Sequence, residues 1–398
     1  MRNTSLPRRC AAALLLAGAF GASVAVHATT VTLKVLDAFG FGQMGSRPQG
    51  DFIAAQDHSG RYFGNSGGDG GNDHGSIYST DLQGLPTILH KFEGGEGGEL
   101  KAGLVQGPDG SLYGVTDGYP HGTIFRLAPD SRMTVLHVFS PDDGYPTVGL
   151  LLASDGFLYG VTEGPGRWTG RLFRISMSGD YQVLHTFGAV PGDGARPEGR
   201  LIQASNGDIL GTTVETKPNL GGTTPDLRAG EGTVFKLTPD GQYAIVAVFP
   251  HDGHLGTGPE AGLVDGRDGW FYGTTYGGGA EYRGTVYRVA ESGELQLVHA
   301  FRFQGRDEGS SSTTPLTLGS DGLFYGTQTT GGRHRKEGPG TAYRVDRAGN
   351  FELLYVFDFA DGFTPQGALL ETSPGQFLGS TYQGGPAKGG VDFLLEVH

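Results

Sequence analysis

The sequence predicts an all-β fold: a seven-bladed β-propeller of four-stranded antiparallel blades, its ring closed by the N-terminal strand completing the last blade. Three observations predict it. Glycine supplies 73 of 398 residues without a three-residue period, while aromatics stand at 10%, a combination that fits neither collagen nor disorder. Four short motifs return in a fixed order along the chain. The chain also enters that order at one point and leaves it at another, so that its two ends complete one unit.

The first motif is an aromatic or aliphatic pair closed by glycine: "YFG" at Tyr62, "LYG" at Leu112 and Leu158, "ILG" at Ile209, "FYG" at Phe271 and Phe324, and "FLG" at Phe377. The second is a glycine followed by an apolar run: "GSIYST" from Gly75, "GTIFRL" from Gly122, "GRLFRI" from Gly170 and "GTVFKL" from Gly232. It continues as "GTVYRV" from Gly284, "GTAYRV" from Gly340 and, degenerately, "GVDFLLEV" from Gly390. The third ends in Phe39, Phe92, Phe139, Phe187, Phe249, Phe301 or Phe357, and the fourth, as in "GLVQGPDG" from Gly103 and "GLLLASDG" from Gly149, leads into the first. Each run is short, β-branched or aromatic, and bounded by Gly, Asp-Gly or Pro, which marks strands rather than helices. Four strands in about 46 to 62 residues make a propeller blade.

With the strand leading into Tyr-Gly innermost, the four are A, B, C and D. The chain begins with a D strand, Val31 to Phe39, and ends with a C strand, Val391 to Val397. The first strand must therefore serve the seventh blade, which leaves no open sheet edge in the ring.

These motifs resemble the GloVer repeat family, named after Gloeobacter and Verrucomicrobia, whose copies carry Tyr-Gly-Thr-Thr, Gly-Thr-Val-Phe-Lys-Leu and Leu-x-x-Phe. "FYGTTYGGGAEYRGTVYRV" from Phe271 to Val289 is close to a consensus copy, and the resemblance spans essentially the whole chain after its first residues. It implies an exported, propeller-like protein and transfers no catalytic residue, because the repeat pattern is structural. Members often end in a surface-sorting anchor, whereas this sequence stops at Glu396-Val397-His398.

Residues 1–28 read as an export signal: Arg2, Arg8 and Arg9 precede the apolar run Ala11 to Val26, with cleavage expected after Ala28. Residues 29–398 are then one propeller domain, secreted or periplasmic. No later segment approaches the roughly 20 apolar residues of a membrane span. Cys10 lies inside the signal, so the mature chain is expected to carry no disulfide and no cysteine metal site. A net charge of −13 disfavours nucleic acid as a partner. No metal, nucleotide or other cofactor motif is present, and a monomer is expected.

The A-to-B and C-to-D connections are tight Asp-Gly-type turns, which makes that face scaffold. The D-to-A and B-to-C connections emerge on the other face. Between framing glycines the B-to-C loops run 10, 7, 9, 20, 10, 13 and 10 residues, and such variation on a rigid ring marks the face for binding or catalysis. The slot before each A strand, usually after a proline, holds Gln49, Lys101, Thr147, Glu198, Glu260, Leu316 and Gln366, and is expected to point toward the channel mouth. Its mixed polarity suits a polar pocket or a wet channel lining.

His90, His137, His185 and His299 share one D-strand slot and read as scaffold. His74 and His121 share a loop slot in adjacent blades and, with Tyr282 and Arg283 of blade 5, are the candidate acid, base and carboxylate-binding groups. Lys101, Tyr119, Trp168, Glu198, Glu260, Tyr276, Arg333 and His334 are the candidate ligand-binding residues, the aromatics for stacking on sugar rings. Solvated loop residues would look the same. Ser66 matches a bare Gly-x-Ser-x-Gly but lacks the strand-to-helix setting of a nucleophile elbow.

Three functions fit this reading. The first is an exported protein binding an extracellular or periplasmic glycan or surface partner on the long-loop face. The second is a polysaccharide lyase, eliminating across a uronic acid, or another carbohydrate-active enzyme. The third is a structural surface protein.

Overall fold

The computed structural model describes residues 29–398 apart from 41–45, 49–50, 69–73, 84–85, 94–96, 99, 101, 118–121, 165, 167–168, 217–231, 304–306 and 333–337. Its strands form the expected seven blades. Blade 2 is representative: Val105–Gln106, Leu112–Thr116, Thr123–Leu127 and Met133–Val138 pair antiparallel in that order as strands A to D. Blade 3 carries an additional pairing of Tyr145–Pro146 with Leu158–Glu163, and Gly194–Ala195 pairs with Glu215–Thr216 beside blade 4.

Ring closure follows the reading of the two chain ends. In blade 7 the order runs Phe363–Ser373, Gln376–Gln383, Val391–Val397 and then Val31–Ala38, so the first strand is the outermost of the last blade. Its register begins with Val31 opposite Val397 and ends with Ala38 opposite Val391.

The core lies between blades rather than within one layer. Phe63 and Ile77 of blade 1 cluster with Leu112, Phe125 and Leu127 of blade 2, and the same arrangement recurs around the ring. The Tyr-Gly motif has a steric cause. Each B-strand glycine lies opposite a C-strand ring, as Gly114 opposite Phe125, Gly160 opposite Phe173 and Gly211 opposite Phe235. A Cβ at Gly160 would stand 2.4 Å from the Phe173 ring and one at Gly211 2.5 Å from Phe235. The missing side chain is therefore the space into which the next strand's aromatic fits.

Polar groups inside the blades are paired in the same repeating way. Thr116 and Thr123, Thr213 and Thr233, and Thr275 and Thr285 join B and C strands through hydroxyl contacts of 2.8–3.0 Å. Ser66 is fully buried and makes the equivalent contact with Ser76 at 3.0 Å, which accounts for its place in the glycine-flanked motif.

The D-strand histidines staple neighbouring blades. His137 stacks on Tyr181 at 4.0 Å, His185 on Tyr243 at 3.6 Å and His299 on Phe351 at 4.6 Å, each ring belonging to the following blade. Two of them also reach the next D-to-A connection, His185 Nε2 lying 3.1 Å from Asp193 Oδ2 and His299 Nε2 2.9 Å from Glu308 Oε2. Burial lowers the pKa of His137, as expected for an imidazole pressed between rings.

Candidate functional site

The A strands lie at the start of each blade, and the residue two places after the pre-A slot differs between blades in a way that matters at the axis. Glycine fills this position in blades 2, 3 and 5, as Gly103, Gly149 and Gly262, whereas blade 1 has Asp51 and blade 4 has Arg200. Arg200 crosses the axis and forms an ion pair with Asp51. A Cβ at Gly103 would meet the Arg200 guanidinium at 2.3 Å, and one at Gly262 would meet its stem at 2.7 Å, so the glycines make room for that single side chain. Asp51 also accepts the backbone N–H of Ala368 from blade 7.

Above this floor a cup of about 540 Å3 opens on the long-loop face, with lining residues from all seven blades. Asp117, Glu163, Glu198 and Glu260 supply carboxylates, Tyr145 an aromatic face, and Thr147, Thr314 and Gln366 neutral polar groups. Four pre-A residues of the sequence reading, Thr147, Glu198, Glu260 and Gln366, therefore line the mouth. Leu316 does not: it is buried in the core between blades 5 and 6, and Thr313 and Thr314 face the cup from blade 6 instead.

Charge along one wall is organised by Arg196. Its guanidinium donates to Glu198 at 2.6 Å, Glu215 at 3.1 Å and Glu163 at 3.2 Å, joining the D-to-A connection of blade 4 to the ends of two B strands. Arg196 is held at φ 55°, an uncommon backbone for a bulky residue that the surrounding contacts must fix. Burial outweighs the attraction of Arg196 and raises the Glu198 carboxyl.

Glu260 lies beside this cluster, and among the described residues no side chain donates to its carboxylate. Burial, followed by the nearby charge of Glu198, pushes its pKa up to about 7. A carboxyl raised in this way costs nothing below its unfolded value near 4.5, and stability is lost as pH rises through about 7. Glu260→Gln is therefore expected to be more stable than the parent by about 2 kcal/mol at about pH 8.5 and indistinguishable at about pH 4, as read by urea unfolding.

The other sequence candidates fall in different places. Arg283 is committed within blades 5 and 6: its guanidinium lies 3.4 Å from Asp307 and 4.6 Å from the centre of the Phe303 ring, with 13% of its side chain exposed. Its neighbour Tyr282 is 83% exposed, and Tyr276 is also exposed. Neither lines the cup. His74 is half-buried against Gly98, where a Cβ would stand 3.1 Å from Nδ1. His121, Lys101, Tyr119, Trp168, Arg333 and His334 lie outside the described residues.

Sequence reasoning did not single out Asp51, Arg196, Arg200 or Glu163. For Asp51 and Arg200 a signal exists: both replace the glycine that blades 2, 3 and 5 carry at the entrance of strand A. Among the described residues no cluster of three or more metal-ligating side chains has the geometry to hold a metal ion.

The profile of the Gloeobacter/Verrucomicrobia repeat matches residues 16–225 and 215–393. No curated protein sequence matches the chain. Among solved structures it is similar to puromycin hydrolase, with 12% identity and a TM-score of 0.52 over 84% of this chain and 50% of that one, so it spans half of that protein's length. It is also similar to a protein of unknown function from Dyadobacter fermentans (13% identity, TM-score 0.47, 92% of this chain and 99% of that one). A third similarity is to a glucose dehydrogenase (12% identity, TM-score 0.44, 79% and 99%). At these identities the likeness concerns the fold alone.

Proposed function

We propose that this chain, which belongs to the Gloeobacter/Verrucomicrobia repeat family, is an exported binding protein whose cup receives an uncharged, hydroxyl-rich ligand, a carbohydrate. The observation that carries this reading is the cup itself: its volume suits a small ligand, and its wall offers carboxylate acceptors beside the Tyr145 ring. Sugar hydroxyls are donors matched to carboxylate oxygens, and a sugar ring's apolar face is matched to an aromatic one. Export is supported by the basic-then-apolar composition of residues 1–28, which lie outside the described residues.

A uronic-acid glycan fits less well. It would bring carboxylates against Asp117, Glu163, Glu198 and Glu260, while Arg196 and Arg200 already have partners. The elimination chemistry considered for Arg283 has the same difficulty, since that guanidinium is engaged by Asp307.

Calorimetric titration of residues 29–398 with neutral and uronate oligosaccharides tests the reading. Saturable binding of a neutral glycan is expected, weakened at least about tenfold by Tyr145→Ala and by Glu260→Gln. Ultraviolet absorbance of an unsaturated uronide, followed in the same samples, reports elimination. Tighter binding of uronates than of neutral sugars, or absorbance that grows with time, would overturn the proposal.

A further inference from the structure

On the tight-turn face the C-to-D turns of blades 3, 5 and 6 lean on the blade before them, whereas the turn of blade 4 at Gly241 does not. Gly179, Gly293 and Gly349 come so close that a Cβ would stand 3.0, 2.4 and 2.1 Å from the carbonyls of Leu136, Val246 and Val298. Blade 2 has Ser131 at this position, also in the left-handed region at φ 63°, and Ser131 and Leu89 of blade 1 both line the gap between the two blades. A cleft of about 500 Å3 remains between the two blades, lined by the apolar Phe63, Leu89, Leu112 and Leu127 and by Asp57, Arg61 and Asp109, of which Asp109 is paired with Arg126 at 2.6 Å.

The groove between blades 5 and 6 shows what fills such a space. Arg347, two residues before Gly349, lies across it and donates to Asp268 Oδ2 at 2.9 Å, to the Gly266 carbonyl at 2.8 Å and to the Gly322 carbonyl at 2.7 Å. Its guanidinium stands 5.4 Å from the centre of the Phe324 ring. The corresponding residue of blade 2 is Pro129, which has no donor and no reach.

The receiving frame is nevertheless retained. Asp57 occupies the blade 1 turn as Asp268 does that of blade 5, each carboxylate accepting the backbone N–H two residues on, from Ser59 at 3.0 Å and Trp270 at 3.2 Å. Gly110 closes its turn on Gly107 as Gly322 does on Gly319. Leu112 stands where Phe324 stands. Arg61 meets Asp57 at 2.9 Å with both side chains about half exposed, the kind of surface pair that exchanges readily. Hydrogen bonds from Ser59, reinforced by Arg61, hold the Asp57 carboxyl down at about 2, so it remains an anion.

We propose that the cleft between blades 1 and 2 is a socket for an arginine side chain presented by a partner protein, which completes there the contact that Arg347 makes internally between blades 5 and 6. An apolar wall takes the aliphatic stem, and the mouth takes the guanidinium. This site lies on the face opposite the cup and is independent of it.

The test uses fluorescein-labelled acetyl-Ala-Leu-Arg-Leu-Ala-amide and residues 29–398, read by anisotropy and calorimetry. Expected are saturable one-site binding that weakens with salt, at least about tenfold weaker binding of the norleucine peptide, and loss of binding in Pro129→Arg, which supplies a resident plug. Arg347→Ala opens the second groove and is expected to raise the stoichiometry from one to two. The absence of saturable binding, equal binding of the norleucine peptide, or unchanged binding to a folded Pro129→Arg protein would overturn the proposal.

Discussion

Gly211→Ala is expected to lower the free energy of unfolding by about 3 kcal/mol, the upper end for overpacking one methyl group into a closed core. The new Cβ would stand 2.5 Å from Phe235 and 2.7 Å from Leu201, and neither can retreat. Phe235 is fully buried and already meets Phe187 at 5.1 Å and Tyr243 at 5.7 Å. Gly241→Ala supplies the control: that glycine sits at φ 86° with nothing within 4 Å of a Cβ, so only the backbone penalty of about 1 kcal/mol applies. Urea unfolding of both variants, with Gly211→Ala/Phe235→Leu as the compensating pair, separates the two costs. Equal losses in the two single variants, or no recovery in the double variant, would show that the repeated glycine serves the backbone rather than the ring opposite it.

The same glycines explain why the fold was legible in the sequence. A blade repeats its internal sterics, so Tyr-Gly, Gly-Thr-Val-Phe and Leu-x-x-Phe return wherever a ring lies over a bare Cα, and the strand order follows from them. The site is written differently. Arg200 and Asp51 belong to blades 4 and 1 and meet only because the ring closes, so neither residue predicts its partner locally. Their trace in the sequence is negative, a charged group where Gly103, Gly149 and Gly262 stand in other blades. Arg196 leaves no such trace, because its three carboxylates, at the end of one B strand, just beyond another and before an A strand, are brought to it by a loop conformation that the repeat does not specify. Glu198 and Glu260 could be anticipated because their slot is tied to the start of strand A, the part of the blade nearest the axis.

The closing seam carries the second large effect. Asp37 and Asp392 face one another across the first and last strands, at positions where the other blades pair an aliphatic C-strand residue with a D-strand histidine, alanine or tyrosine. Both are buried, and among the described residues each keeps one carboxylate oxygen without a hydrogen-bond partner, Asp37 Oδ2 and Asp392 Oδ1. Tyr78 of blade 1 donates to Asp392 Oδ2 at 2.9 Å. Burial pushes Asp37 up to about 6, and burial holds Asp392 well above the usual carboxylate range with the neighbouring Asp37 adding to it. Both shifts are upward, so the seam is at full strength below the unfolded carboxyl value near 3.8 and loses stability as pH rises through about 6. Asp37→Asn removes that loss: it is expected to exceed the parent by about 3 kcal/mol at about pH 8 and to match it at about pH 3.5. Because the two carboxyls titrate as a pair, Asp37→Asn/Asp392→Asn should gain less than the sum of the single variants. Urea unfolding across this pH range decides the matter: a constant difference between parent and Asp37→Asn would mean that the seam does not titrate, whereas a gain confined to the higher pH values makes the joint between the chain ends the element that weakens first in base.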